Sequence, residues 1–200
     1  MFINWALQEI NLKIVYYGPG MSGKTTNLEY IHSKLDSSLK GDLVSLKTKE
    51  DRTIFFDFMQ IEVGRIKGKK PKFNLYTVPG QVYYASSRKV ILNGVDGIVF
   101  VADSMMVRRE KNILSIKNLQ EDLANYRKSI FKMPIVLQYN KVDLVEQGIP
   151  LTSVEMLQKD LNSQLKTSSF KASALKGTNV VPTMKKIISM TIGSIVKELK

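Results

Sequence analysis

The sequence predicts an α/β fold: a mostly parallel sheet with helices on both faces, arranged in three layers, and one antiparallel hairpin at the sheet edge. Three observations carry this. Apolar runs alternate along the chain with segments of helical period, the pattern of strand-helix-strand units. Gly97-Ile-Val-Phe-Val-Ala102 and Pro134-Ile-Val-Leu-Gln-Tyr139 are almost wholly apolar, as strands covered on both sides must be. Farther upstream the pattern changes: Met59, Ile61 and Val63 alternate with Gln60 and Glu62, so one face is buried and the other polar.

The elements follow in order. Leu12 to Tyr17 reads as the first strand and breaks at Gly18. Thr25 to Leu35 follows as a helix, with Leu28, Ile31 and Leu35 on one stripe. Asp42 to Glu50 shows no clear period. Ile54 to Ile66 and Lys72 to Val78 read as two strands joined at the Lys67-Gly68-Lys69-Lys70-Pro71 turn. A helix over Arg108 to Lys128 separates the two apolar strands. Another covers Thr152 to Leu165, opened by the capping pattern Thr152-Ser-Val-Glu155. A short strand at Ser169 to Ala172 and a helix over Val181 to Lys197 complete the order β-α-β-β-α-β-α-β-α-β-α, and Trp5 with the first ten residues is expected to pack as an extra edge segment.

At 200 residues, 44% apolar and 24% charged, the chain is expected to form one domain over residues 1–200. No apolar run approaches the roughly 20 residues of a membrane-spanning helix. The start of the chain lacks the layout of a signal peptide, so a cytoplasmic protein is expected. With zero cysteines and Phe2 after Met1, no disulfide, thiolate metal site, prenyl, palmitoyl or N-myristoyl group is expected. Any membrane contact is therefore expected to be transient, carried by side chains or partners. The formal charge of +12 is spread along the chain; only Lys67, Lys69, Lys70 and Lys72 form a tight group, read as a solvated hairpin tip in preference to a docking patch. No nucleic-acid partner is expected.

Gly18-Pro-Gly-Met-Ser-Gly23-Lys24-Thr25 fits G-x-x-x-x-G-K-[ST] without a mismatch, after a strand and opening a helix. Glycines there let successive backbone N–H groups turn inward around a phosphate, and the helix N-terminus adds its positive end. Gly18, Gly20, Met21, Ser22, Gly23, Lys24, Thr25 and Thr26 are the candidate phosphate-binding residues. Lys24 is expected to reach the β- and γ-phosphates and Thr25 to place its hydroxyl on Mg²⁺. The motif alone does not separate ATP from GTP.

Asn140-Lys141-Val142-Asp143 lies just past the second apolar strand, on the sheet edge where doubly wound folds bind ligands. Asp143 can accept both the N1–H and the 2-amino group of guanine, which adenine does not offer. Asn140 can tie this loop to the phosphate loop, and the Lys141 stem can lie over the base. Ser173-Ala174-Leu175 follows the last short strand, where the Ala174 backbone N–H could donate to guanine O6.

With these motifs in place, nearly the whole chain resembles the Ras-like small GTPases, and more closely the bacterial MglA-type motility and polarity GTPases. The closer match rests on Lys13-Ile-Val-Tyr-Tyr-Gly-Pro-Gly20, Arg52-Thr53-Ile-Phe-Phe-Asp57, Tyr76-Thr-Val-Pro-Gly-Gln81 and Gln138-Tyr-Asn-Lys141. The resemblance implies a small-GTPase fold that binds GTP or GDP with Mg²⁺ and hydrolyses GTP slowly. It implies that Gly80 meets the γ-phosphate, that Gln81 orients the attacking water, and that the Thr53 hydroxyl and carbonyl close on Mg²⁺ and the γ-phosphate in the GTP state. It also implies that Arg52 acts as an arginine finger supplied by the chain itself. Small GTPases usually carry Asp-x-x-Gly-Gln where this chain has Thr77-Val-Pro-Gly80-Gln81. A threonine brings no negative charge, so the metal is expected to depend more on Thr25, the phosphates and waters.

By the same resemblance, the partners are an activator dimer of MglB-like roadblock domains and effectors of cell polarity or motility. Two readings share the pocket: a GTPase switch, and a scaffold that uses GTP mainly as a structural ligand. Gln81 and Arg52 together favour the first.

Overall fold

The computed structural model describes residues 2–4, 6–47, 53–64, 68–80 and 85–198. Its strands are β1 (Phe2–Asn4), β2 (Glu9–Tyr17), β3 (Val44–Lys47), β4 (Thr53–Glu62), β5 (Lys70–Thr77), β6 (Gly97–Asp103), β7 (Ile135–Asn140) and β8 (Ser169–Lys171). The helices are α1 (Lys24–Lys34), α2 (Ala85–Leu92), α3 (Arg109–Ala124), α4 (Val154–Leu161) and α5 (Val180–Glu198). One sheet runs β3-β4-β5-β2-β6-β7-β8, with β1 paired to β2.

From β5 across to β8 every neighbouring pair is parallel, and β4 lies antiparallel to β5 with Phe58 opposite Tyr76 and Glu62 opposite Lys72. The hairpin is thus where the alternating pattern put it, but it is not the outermost element. Val44–Lys47, part of the stretch without a clear period, adds antiparallel to β4. Antiparallel β1 fills the side of β2 at Glu9–Asn11, below the point where β6 begins to pair at Ile14. The edge segment expected from the first ten residues is this strand; Trp5 itself lies outside the described residues.

Because side chains alternate across a strand, β2 feeds two apolar layers. Ile14 and Tyr16 face Leu28 and Ile31 of α1 and Met184, Ile187 and Ile188 of α5. Val15 and Tyr17 face the opposite layer, built from Leu119 and Leu123 of α3, Leu157 and Leu161 of α4, and Ile91 and Leu92 of α2. All seven residues of β6 and all six of β7 are buried, which is why these strands carry no polar alternation. Phe100, fully buried in β6, is expected to cost about 3–5 kcal/mol of stability when cut to alanine. Urea unfolding of Phe100→Ala checks this, and a midpoint equal to that of the wild type would contradict the packing.

Two of the boundaries that differ from the expected ones have a clear local reason. β5 begins at Lys70 rather than Lys72 because its first residues pair with β2, where Glu9 faces Lys70. The Lys72 ammonium lies 2.9 Å from Glu9 and 3.4 Å from Glu62, and Lys69 Nζ donates to Gln8 Oε1 at 3.1 Å, so at the turn end of the hairpin these two lysines have polar and acidic neighbours. Lys67 lies outside the described residues. At α4 the cap is Ser153, whose Oγ accepts the Met156 N–H at 3.2 Å, so the helix starts one residue later than the Thr152 pattern implies.

Candidate functional site

Parallel strands β2, β6 and β7 all end on one edge of the sheet, and the candidate residues collect there. The chain leaves β2 at Tyr17, turns through Gly18 to Gly23 and enters α1 at Lys24. Gly23, the residue before the helix, has φ +93°, and a Cβ on it would stand 2.2 Å from Asn140 Nδ2. Only glycine meets both conditions. No side chain caps the first turn of α1, so its N–H groups point into the loop as donors for an anion.

Lys24 closes the loop on itself: its Nζ donates to the Gly18 carbonyl at 3.0 Å and to the Pro19 carbonyl at 2.7 Å. Burial pushes its ammonium down to about 7, opposed mainly by the negative charge of Asp57. Thr26, half-buried, sits in the same first turn. Gly80 lies hard against the loop, where a Cβ would come within 2.3 Å of the Gly20 nitrogen.

The second wall comes from the hairpin. Asp57 in β4 is fully buried, and its Oδ2 accepts the Thr25 hydroxyl at 2.5 Å and the Thr77 hydroxyl at 2.6 Å. Thr77 Oγ1 accepts the Asp57 backbone N–H at 2.9 Å in return. This reciprocal pair holds the carboxylate in one orientation against the start of α1.

The base loop is joined to the phosphate loop by Asn140, the last residue of β7. Its Nδ2 donates to the Ser22 carbonyl at 2.7 Å, and its Oδ1 accepts the Ala174 N–H at 2.8 Å. A buried amide pair backs this up, with Gln138 Nε2 donating to Asn27 Oδ1 of α1 at 3.0 Å. Lys141 follows with φ +70°, its Nζ 2.8 Å from Asp103 Oδ2, and Asp143 is buried in the short helical turn Val142–Gln147. Ser173 is buried beside Ala174, whereas Leu175 is 76% exposed at the rim, as is Met21 at 71% on the phosphate loop. Ser22 is fully buried.

A strand-to-helix glycine loop, with an Asn-Lys-x-Asp turn clamped to it, is the arrangement against which known proteins can be compared. The Ras family model matches residues 13–192 of this chain. The chain belongs to the Ras family. It is 48% identical over 196 residues to the mutual gliding-motility protein MglA of Myxococcus xanthus (strain DK1622), covering 98% of each chain. It is also 25% identical over 188 residues to the Ras-related protein Rab-32C of Dictyostelium discoideum, covering 94% of this chain and 76% of that one.

In this member of the Ras family the third motif carries Thr77, and the charge that a threonine lacks is present all the same. It stands on Asp57 of the neighbouring strand, outside the motif and hydrogen-bonded to both Thr25 and Thr77. A signal for it exists in the sequence. Asp57 stands on the same parity of β4 as buried Met59 and Ile61, and a carboxylate at a buried parity needs a partner or a cation. The Thr25 hydroxyl and the Asp57 carboxylate are hard oxygen donors of the kind Mg²⁺ takes, and Mg²⁺ is usually held by one or two such groups plus substrate phosphates.

A second difference concerns the base. The Ala174 N–H, which from sequence could donate to guanine O6, is donated to Asn140 Oδ1 because Ala174 stands directly across from the clamp. Thr53 opens β4 opposite Lys47. Arg52 and Gln81 lie outside the described residues.

Proposed function

We propose that this chain is a small GTPase switch that binds GTP and GDP with Mg²⁺, hydrolyses GTP slowly and regulates bacterial cell polarity or motility through nucleotide-dependent partner binding. The observation that carries the reading is the Asn140 clamp, which holds a guanine-reading loop to a phosphate loop so that one ligand can span both. The whole chain, residues 1–200, works in this reading as one cytoplasmic GTPase domain. Among the described residues no helix is long and apolar enough to cross a membrane. The motility role is carried over from the name of the Myxococcus relative.

In this mechanism Asp143 accepts from the guanine edge, and backbone N–H groups from Gly18 to Thr26 hold the phosphates. Anionic phosphates beside Lys24 favour its charged form, which the loop carbonyls alone do not neutralise. Thr25 and Asp57, with Thr53 in the GTP state, would hold Mg²⁺, which when bound neutralises charge on the β- and γ-phosphates. Gly80 donates to the γ-phosphate, Gln81 orients the attacking water and Arg52 stabilises the charge that develops on transfer. Closure of Thr53 and Gly80 around the γ-phosphate is the shape change read by partners. Those partners are an MglB-like roadblock-domain activator dimer and polarity or motility effectors.

Single-turnover GTP hydrolysis tests the chemistry. Arg52→Ala and Gln81→Ala are each expected to slow turnover while leaving GTP affinity within a few-fold. For the arginine the loss reaches about 10³-fold or more where the finger is engaged. The assay is run with and without a roadblock-domain dimer. Unchanged rates in every condition would remove both assignments, and no turnover by the wild type would favour a GTP-stabilised scaffold.

A further inference from the structure

Beyond the motifs of the family, a second clamp grips the phosphate loop. The short helical turn Met106–Arg108 follows β6, and Arg108 Nη2 donates to the Gly20 carbonyl at 2.6 Å. On its other side the Arg108 Nε lies 3.7 Å from Asp103 Oδ2, the oxygen that also holds the Lys141 ammonium. Asp103 is fully buried at the end of β6 and is itself rigidly set. Asn112 of α3 accepts its N–H at 2.9 Å and donates to its carbonyl at 2.8 Å, while Asp103 Oδ1 accepts the Met105 N–H at 3.1 Å. One buried carboxylate therefore anchors two cations, one belonging to the base loop and one reaching the phosphate loop.

The geometry points to Arg108 as a positioning residue for the nucleotide phosphates, a role that rests on the nucleotide reading above. A trans peptide is planar, with its C=O and N–H pointing opposite ways. Drawing the Gly20 carbonyl toward Arg108 turns the Met21 N–H away from it, as a donor of the phosphate cradle. Asn140 does the same two residues later, holding the Ser22 carbonyl and so turning the Gly23 N–H. Met21 at φ +63° and Gly23 at φ +93° are two of the three positive-φ residues of the loop, the third being Gly18, and each of these two follows a peptide held by one of the clamps. A left-handed methionine is a costly conformation, and the Arg108 bond restrains the peptide that leads into it. The guanidinium also adds positive charge close to Lys24, favouring an anion in the loop.

Release of fluorescent GDP and GTPγS from the Mg²⁺-loaded full chain tests this. Arg108→Ala is expected to speed release of both by about tenfold or more, because a charge-assisted hydrogen bond is lost. Thermal stability of the purified chain should stay near that of the wild type, and added guanidinium ion at millimolar concentration should slow release again. Arg108→Met, which keeps the aliphatic packing and removes the donors, is measured in parallel so that a folding defect in the alanine variant cannot decide the result. Release within twofold of the wild type in the folded variants, or acceleration that guanidinium leaves unchanged, would overturn the role. A wild-type chain that binds neither nucleotide would overturn the nucleotide reading as well, and is distinguishable because it fails before any substitution is made.

Discussion

Asp57→Asn is expected to raise the rate of GTP release in saturating Mg²⁺ by about 100-fold, in the range found when groups that support a metal site are removed. Asparagine keeps the shape of the side chain and can still accept from the Thr25 and Thr77 hydroxyls, so the local hydrogen bonds survive in number. What it removes is the buried negative charge. In the absence of Mg²⁺ the same substitution should lower unfolding stability modestly, since the Asp57 charge offsets the burial of the Lys24 ammonium. The check is nucleotide release across a Mg²⁺ titration, with urea unfolding in chelator. If the variant responds to Mg²⁺ as the wild type does, Asp57 does not stand in for the missing motif aspartate. Thr77→Val offers a companion measurement: it deletes the hydroxyl that accepts the Asp57 N–H and donates to its carboxylate, and should give a smaller shift of the same sign.

Asp143→Asn should reverse base preference. An ionised carboxylate accepts two donors from guanine, whereas an amide presents one acceptor and one donor and matches the second carbonyl of xanthine. Sites built to hydrogen-bond one ligand reject an analogue lacking the match by as much as about 10⁴-fold. The expected result is GTP affinity lowered by about that factor, with xanthosine triphosphate becoming the better ligand. Competition binding against a fluorescent nucleotide measures it, and an unaltered order of GTP over xanthosine triphosphate would take away the guanine assignment. Asp143 is buried in the turn after Lys141, so the effect should be on recognition more than on folding.

The two central strands, the phosphate loop and the base loop are all legible in the amino-acid sequence. Buried parallel strands have to be continuously apolar, and glycine positions in a phosphate loop have to be glycine, so these leave marks in local sequence. β3 is not legible, because four residues at an edge, Val44–Lys47, owe their strand form to pairing with β4 rather than to a period of their own. The charged residues split the same way. Lys24 and Asp143 announce themselves through neighbours one or two positions away.

Asp103 and Arg108 do not, and Asp57 shows only as an acid at a buried parity of its strand, with nothing nearby to name its partners. Asp57 lies 32 residues from Thr25 and 20 from Thr77, and Arg108 lies 88 from Gly20. Only the sheet order β4-β5-β2-β6, which lays those strand ends side by side, brings them to the loop. Sequence by itself determined which backbone turns could cradle a nucleotide and which base could be read, because those properties are local. Tertiary structure decided which carboxylate stands beside Thr25 and Thr77 and what holds the phosphate loop in shape. A carboxylate or guanidinium acts through space, over a few ångströms that the chain order does not record.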